Sequence, residues 1–265
     1  MARTAPRGFT LVELAVVLAI VGFLLGGLMY SLSAQTEQRN RGETQRRLDE
    51  ARELLIAFAI VNGRLPCPAS TASNGVEADS GTTGSCSSAY AGYLPAKTIG
   101  FQTMDSSGYA LDGWGNRIRY AVSVNTNVAL APDYHFTASG SMKTNGITVT
   151  PSDLLVCASW ASNIDTSTSS PSCGSATSVT NQNVIAVVIW SQGKDYSTAS
   201  YSGLSGQAGN DEMLNNKTSA NSNHGVFVDH AQAPSGATNG EYDDQMVWIP
   251  AGLIYGRLIS AGVLP

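Results

Sequence analysis

Charge is scarce in this chain. Aspartate, glutamate, lysine and arginine make up 13% of its 265 residues, and none of them falls between Leu14 and Leu32. Proline is missing from Phe9 to Arg64, so nothing there forbids a continuous helix. No cysteine precedes Cys67, which excludes a lipoprotein cut beside the apolar run. No C-x-x-C occurs, which removes the usual zinc and redox spacings. There is no G-x-S-x-G, no H-E-x-x-H and no phosphate-cradling loop. The three histidines, His135, His224 and His230, lie in unrelated segments. Asp229-His230 by itself reads as a strand-edge histidine rather than part of a hydrolase triad. These gaps argue against an enzyme.

What is present is unevenly placed. Met1 to Gly8 carries two arginines and no acid. Phe9 to Asn62 carries five basic and six acidic residues, and the remainder eight basic and fourteen acidic. Arg3 and Arg7 beside an apolar run fit the positive-inside rule, which keeps the N-terminus cytoplasmic and the bulk of the chain outside. An acidic outer part argues against a nucleic-acid partner, which needs clustered Lys and Arg. The uncharged run Leu14–Leu32 is long enough for a membrane helix of about 20 residues. Glu13 sits at its edge; a carboxylate drawn to the centre of such a span costs about 2.5–3.5 kcal/mol on insertion scales. An ordinary signal peptide, with Ser31-Leu32-Ser33 as its cut site, leaves Glu13 without a purpose. So does a plain membrane anchor.

The segment Arg7-Gly8-Phe9-Thr10-Leu11-Val12-Glu13-Leu14 resembles the processing site of type IV pilins and type II secretion pseudopilins. The resemblance implies a prepilin peptidase that cuts after Gly8 and N-methylation of the new terminal Phe9. It implies that Glu13 pairs with the terminal amine of Phe9 on a neighbouring subunit during assembly. The expected partners are therefore the peptidase, other pilin or pseudopilin subunits and, before assembly, the inner membrane. The filament would then be periplasmic or extracellular. Major pilins usually carry a proline where this chain has Tyr30, which favours a minor pilin or pseudopilin.

The expected architecture is α+β and pilin-like: a long N-terminal helix, transmembrane and then amphipathic, packed on a globular head with an antiparallel sheet. Residues 1–8 form the leader and 9–62 the helix, with 9–32 in the membrane or filament core. Residues 63–265 form the head. The helix would be about 80 Å long at 1.5 Å per residue. Leu48, Ala51, Leu55, Phe58 and Ile60 or Val61 recur at helical spacing. Gly22 and the Gly26-Gly27 pair weaken it, and Asn62-Gly63 ends it. The charged run Arg39–Glu53 reads as a solvated face.

In the head, Asp112-Gly113-Trp114-Gly115-Asn116 reads as a tight turn before a strand, with Trp114 capping the core. It resembles the D-x-W-G-N turn found in the heads of many pseudopilin-like proteins. Ile118 to Val124 and Ile147-Val149 alternate as strands do. Leu154–Ala158 and Val184–Trp190 are short continuous apolar runs that suit fully buried strands. Val226–Val228 and Met246–Ile249 follow, and Pro250 opens a last helix.

Cys67, Cys86, Cys157 and Cys173 lie on the exported side, where disulfides persist, and four cysteines allow three pairings. The local one closes two short loops, worth about 3 kcal/mol each in the chain-entropy model.

Acids gather at Asp195, Asp211-Glu212 and Asp243-Asp244. Ser191-Gln192-Gly193-Lys194-Asp195 with a later Asp-Glu pair resembles the calcium loop of the major type II pseudopilin. That resemblance makes Asp211, Glu212 and Asp195 the candidate ligands for Ca2+, against the plainer reading of solvated turn residues. The competing functional class is an anchored or secreted extracellular binding protein that does not polymerise.

Overall fold

Without proline to interrupt it, the chain forms helix α1 over Leu11–Asn62 in the computed structural model. The described residues are 8, 10–78, 84–124, 135–168, 170–194, 196, 209–217, 224–234 and 236–264, without the side chains of 25 and 27–33. Two compact units are present, Met1–Gly42 and Glu43–Pro265, and their boundary falls inside α1. Gly63 follows the helix with φ +65 and donates its N–H to the Ala59 carbonyl at 2.8 Å. That left-handed glycine is a common way to satisfy the last carbonyls of a helix.

In the first unit the described apolar side chains face outward. Leu11 is 85% exposed and Phe23 also 85%. Among the described residues no helix is long and apolar enough to cross a membrane. The uncharged run continues through residues whose side chains lie outside the described set, as do residues 1–7 and Phe9.

The second unit holds a four-stranded antiparallel sheet in the order β1-β2-β4-β6. Its strands are β1 (Gly92–Tyr93), β2 (Arg119–Val122), β4 (Ile185–Ser191) and β6 (Gln245–Pro250). Tyr120 pairs with Ile189, and Ser191 with Gln245. One face packs on the second half of α1 through Leu48, Ala51, Leu55, Ile56 and Ala59. The last helix, α5 (Ala251–Ser260), adds Ile254, Tyr255 and Leu258 to the same cluster. The apolar stripe of α1 is shifted from its expected position. Phe58 and Ile60 are half-buried and Val61 is 82% exposed. The 48, 51, 55, 59 spacing holds the buried face, and residues 60 and 61 have rotated past it.

The other face of the sheet meets a second, two-stranded layer. Here β3 (Leu155–Cys157) pairs in parallel with β5 (Val226–Val228). Val156 and Phe227 join Ala121, Val188 and Trp190 under the main sheet. Leu155, Cys157, Val226 and Val228 turn to a third cluster with Leu214 and Tyr242. Both faces of β4 and β3 are therefore covered, which is why these strands read as unbroken apolar runs. The parallel pair has no local sequence sign, because its partners lie far apart along the chain. Ile147-Val149 is not a strand. Gly146 (φ +57) turns the chain into a 3-10 turn over Gly146–Thr148, leaving Ile147 63% exposed.

Of the three possible pairings the structure has the local one, Cys67–Cys86 and Cys157–Cys173.

Candidate functional site

Three groups of residues bear on function. The first is the start of α1. Glu13 Oε2 accepts the Thr10 N–H and the Thr10 hydroxyl, both at 2.9 Å. Thr10 Oγ1 in turn accepts the Glu13 N–H at 3.2 Å. This is a capping box, in which residues N-cap and N3 satisfy each other's free N–H groups. Its sequence sign, T-x-x-E before an apolar run, was legible and points to Glu13 as a helix cap. Gly8 is exposed. Phe9, the expected new terminus, lies outside the described residues.

The second group fastens the sheet to the second half of α1. Asp112 is buried, and its Oδ1 accepts the N–H groups of Trp114 (2.9 Å) and Asn116 (2.8 Å). Its Oδ2 accepts the Ser191 hydroxyl at 2.5 Å. Burial raises the Asp112 carboxyl above the usual range, although these hydrogen bonds pull the other way. The same turn reaches α1. Gly113 N–H donates to Thr44 Oγ1 at 2.9 Å, and Arg47 donates to the carbonyls of Leu111 (3.0 Å) and Asp112 (2.5 Å). Trp114 is only half-buried and joins none of the three apolar clusters of the described residues. The turn is anchored through its aspartate.

The third group is acidic. Helix α4 (Asn210–Asn215) carries Asp211 and Glu212 in sequence, and successive helical residues point about 100° apart. The Asp211 carboxylate accepts the Trp160 N–H and the Asn239 amide (3.2 Å), and lies 3.2 Å from His230 Nε2. Asp211 thus ties loops together. His230 stacks on Tyr242 at 3.9 Å, and none of its described hydrogen bonds meets a serine.

Glu212 turns the other way. Its carboxylate meets those of Asp243 and Asp244, with one oxygen from each inside a 4.8 Å cluster, all buried. The sheet brings them together, since β4 ends and β6 begins side by side at the Ser191–Gln245 pair. Asp243 N–H donates to Glu212 Oε1 (2.9 Å), Lys194 N–H to Asp243 Oδ2 (3.0 Å), and the Asn215 amide to Asp244 Oδ2 (2.8 Å). Gly193 (φ +68) crosses so close that an added Cβ would lie 1.7 Å from Asp243 Oδ1. An all-oxygen set of three carboxylates fits a hard cation such as calcium. Of the ligands expected from sequence, Glu212 belongs to this cluster, Asp211 is used elsewhere and Asp195 lies outside the described residues. Asp243 and Asp244 replace them because strand pairing, not sequence proximity, brings them to Glu212.

Residues 3–29 match the family described as the prokaryotic N-terminal methylation motif, the signature of type IV pilins and pseudopilins. No curated protein and no solved structure matches the chain.

Proposed function

We propose, from the premise of that N-terminal methylation signature, that the chain is a structural filament subunit, a minor pilin or pseudopilin. A prepilin peptidase cuts after Gly8, Phe9 becomes the methylated terminus, and the uncharged run holds the precursor in the inner membrane. The mature helix then joins a filament of related subunits. The observation that carries this reading is the methylation motif at 3–29, with Glu13 five residues past the cut and ahead of an uncharged run. Exposed apolar side chains from Leu11 to Leu24 support it, because they need lipid or neighbouring helices to cover them. Glu13 neutralises a neighbour's Phe9 amine, which offsets the cost of burying both charges.

The capping box sharpens the test. Glu13→Ala removes both the cap and the charge, whereas Glu13→Gln keeps an oxygen acceptor for Thr10 and removes only the charge. Both variants should be cut after Gly8 and fail to enter filaments. Normal incorporation of Glu13→Gln would reduce Glu13 to a helix cap. N-terminal mass spectrometry of the exported protein tests the processing itself. A chain starting at N-methyl-Phe9 supports the reading. One starting near Ala34 indicates a signal peptide and favours a binding protein that does not polymerise.

Calcium is a second reading, favoured by the buried Glu212, Asp243 and Asp244 cluster. These three residues would hold the ion, which would supply positive charge to the junction of α4, β4 and β6. Millimolar calcium should raise the melting temperature of the wild type and leave Asp243→Asn nearly unmoved. Identical melting with calcium and with chelator would remove the ion from the account.

A further inference from the structure

Strand β5 has one edge without a strand beside it among the described residues. Its other edge faces β3: Leu155 N–H reaches the Gly225 carbonyl and Asp229 N–H the Cys157 carbonyl, both at 2.9 Å. Alternation along a strand puts Phe227 on that same edge and turns Val226 and Val228 the other way. The outer edge therefore offers two N–H and two C=O groups, and each is met by a side chain. The Asn215 amide donates to the Val228 carbonyl and accepts the Val228 N–H, both at 2.8 Å. Lys217 Nζ donates to the Val226 carbonyl at 2.5 Å, and His224 Nδ1 accepts the Val226 N–H at 3.3 Å. Tyr242 Oη adds a second donor to the Val228 carbonyl at 2.7 Å. Val226 and Val228 are fully buried beneath these groups.

The far side of β3 is held differently. There main chain meets main chain: Val179 N–H reaches the Val156 carbonyl at 2.9 Å, and Ala158 N–H the Thr177 carbonyl at 2.8 Å. The cover over β5 comes mainly from α4 and the two residues after it. Helix α4 has six residues and no side-chain cap at its start, too short to hold itself without tertiary contacts. The bonds described between 210–217 and the rest of the unit each have a side chain at one end or both. Burial, with Arg119 nearby, pushes the Lys217 amine well below its ordinary value. Its described contacts are the Val226 carbonyl, His224 and the Phe227 ring at 4.2 Å, so this costly amine is spent on the strand edge.

A bare edge of main-chain groups is a template for another chain, and this one is complementary to itself. With a two-fold axis through Phe227, Val226 of one copy lies opposite Val228 of the other. Each such antiparallel pair exchanges both main-chain bonds, four in all, and the two-fold closes the contact as a dimer. We propose that α4 with Asn215, Lys217 and His224 is a strap that opens apart from the sheet beneath it and, once open, bares a strand edge that pairs with the same edge of a second copy. The strap lies in the second unit, and its role does not rest on filament assembly.

The test uses the full chain in detergent. Amide exchange is read residue by residue at about 10 µM and about 1 mM protein, a range that spans weak pairing. In the wild type, Val226 and Val228 should exchange at least about tenfold faster than Phe227 and Asp229, because opening the strap frees only the outer groups. The double variant Asn215→Ala/Lys217→Met should speed Val226 and Val228 about tenfold further and leave Phe227 and Asp229 within about twofold. At the higher concentration that gain should vanish, and sedimentation should show more dimer than the wild type gives. Where the double variant does not fold, Lys217→Met alone, which keeps an apolar chain over the Phe227 ring, takes its place. Equal exchange at all four residues in the wild type would overturn the strap. A variant whose Val226 and Val228 exchange alike at both concentrations would overturn the pairing.

Discussion

The two halves of α1 make the sharpest contrast in this molecule. Both are helical, yet Leu18 and Leu24 in the first are 63% and 62% exposed, while Leu48 and Leu55 in the second are fully buried. The first half carries apolar residues on every side, so it has no face suited to water. The second carries a stripe at 48, 51, 55 and 59, flanked by Glu43 paired to Arg46 and Arg47. A stripe with a charged back specifies a partner within the chain. An all-round apolar helix specifies a surrounding medium that the chain does not itself supply. That is the physical difference between a segment that completes a fold and one whose apolar surface the described chain leaves uncovered.

The largest expected effect breaks this contrast directly. Leu55→Ala should destabilise the second unit by about 2–5 kcal/mol, the range for deleting a buried leucine side chain. Leu18→Ala should leave that unit's stability within about 0.5 kcal/mol. Urea unfolding followed by tryptophan fluorescence suits the comparison, since all four tryptophans follow Gly63. Equal destabilisation by the two variants would show that both halves of α1 share one core.

Disulfide loss comes next. The two bonds close loops with sequence separations of 19 and 16, so each should contribute about 3 kcal/mol. Replacing Cys157 and Cys173 by alanine should also loosen β3, since Cys157 is a fully buried member of the third cluster. Replacing Cys67 and Cys86 acts at the entry to the head, where Arg64 and Glu77 already clamp the chain at 2.7 Å. The Cys157–Cys173 pair of substitutions should therefore give the lower melting temperature. The reverse order would mean that loop closure matters less at β3 than at the helix exit.

Much of this was legible in the sequence, for stated physical reasons. The apolar runs at Leu154–Ala158 and Val184–Trp190 announce strands covered on both faces, and β3 and β4 are such strands. Gly63 marks the end of α1, and Pro250 ends β6 as the extended residue just before α5 rather than as its first helical residue. The acidic cluster was only half legible. Asp211-Glu212 and Asp243-Asp244 stood out as acids, but helix geometry separates the first two and strand pairing recruits the last two. The parallel β3–β5 pair depends wholly on contacts distant in sequence. T-x-x-E at the helix start spells the cap that Thr10 and Glu13 form.

Titration should distinguish the halves by a smaller margin. In the second unit His135 bonds Ser141 Oγ (2.9 Å) and Tyr255 Oη (2.8 Å), and burial lowers it from 6.5 to about 4. The unfolded chain thus binds a proton that the folded one refuses between these values. Stability supplied by neutral His135 is complete above pH 6.5 and falls as pH drops toward 4, at most about 1.4 kcal/mol per pH unit. Asp229 opposes it. Burial raises its carboxyl to about 6, so the folded state holds a proton between 3.8 and 6 and loses stability as pH rises through that window. His135→Gln keeps hydrogen-bonding capacity and removes the titration. Its urea midpoint should fall less steeply than the wild type's between pH 6.5 and 4.5. Parallel curves would assign the acid sensitivity to other groups.

The smallest effect belongs to the first turn of α1. Thr10→Ala removes the hydroxyl that accepts the Glu13 N–H and donates to its carboxylate. Losing an N-cap of this kind costs about 0.5–2 kcal/mol of local helix stability. The loss should be confined to the first turn, because helix ends fray locally and Leu14 N–H already reaches the Thr10 carbonyl at 3.2 Å. Amide exchange at residues 11–14 should accelerate in Thr10→Ala, with no change in the melting of the second unit. Thr10→Ser should restore the slow rate, since the cap needs a hydroxyl and not a methyl. If Thr10→Ala instead lowered that melting temperature, the two halves of α1 would be energetically one helix, and their difference in exposure would no longer mark separate roles.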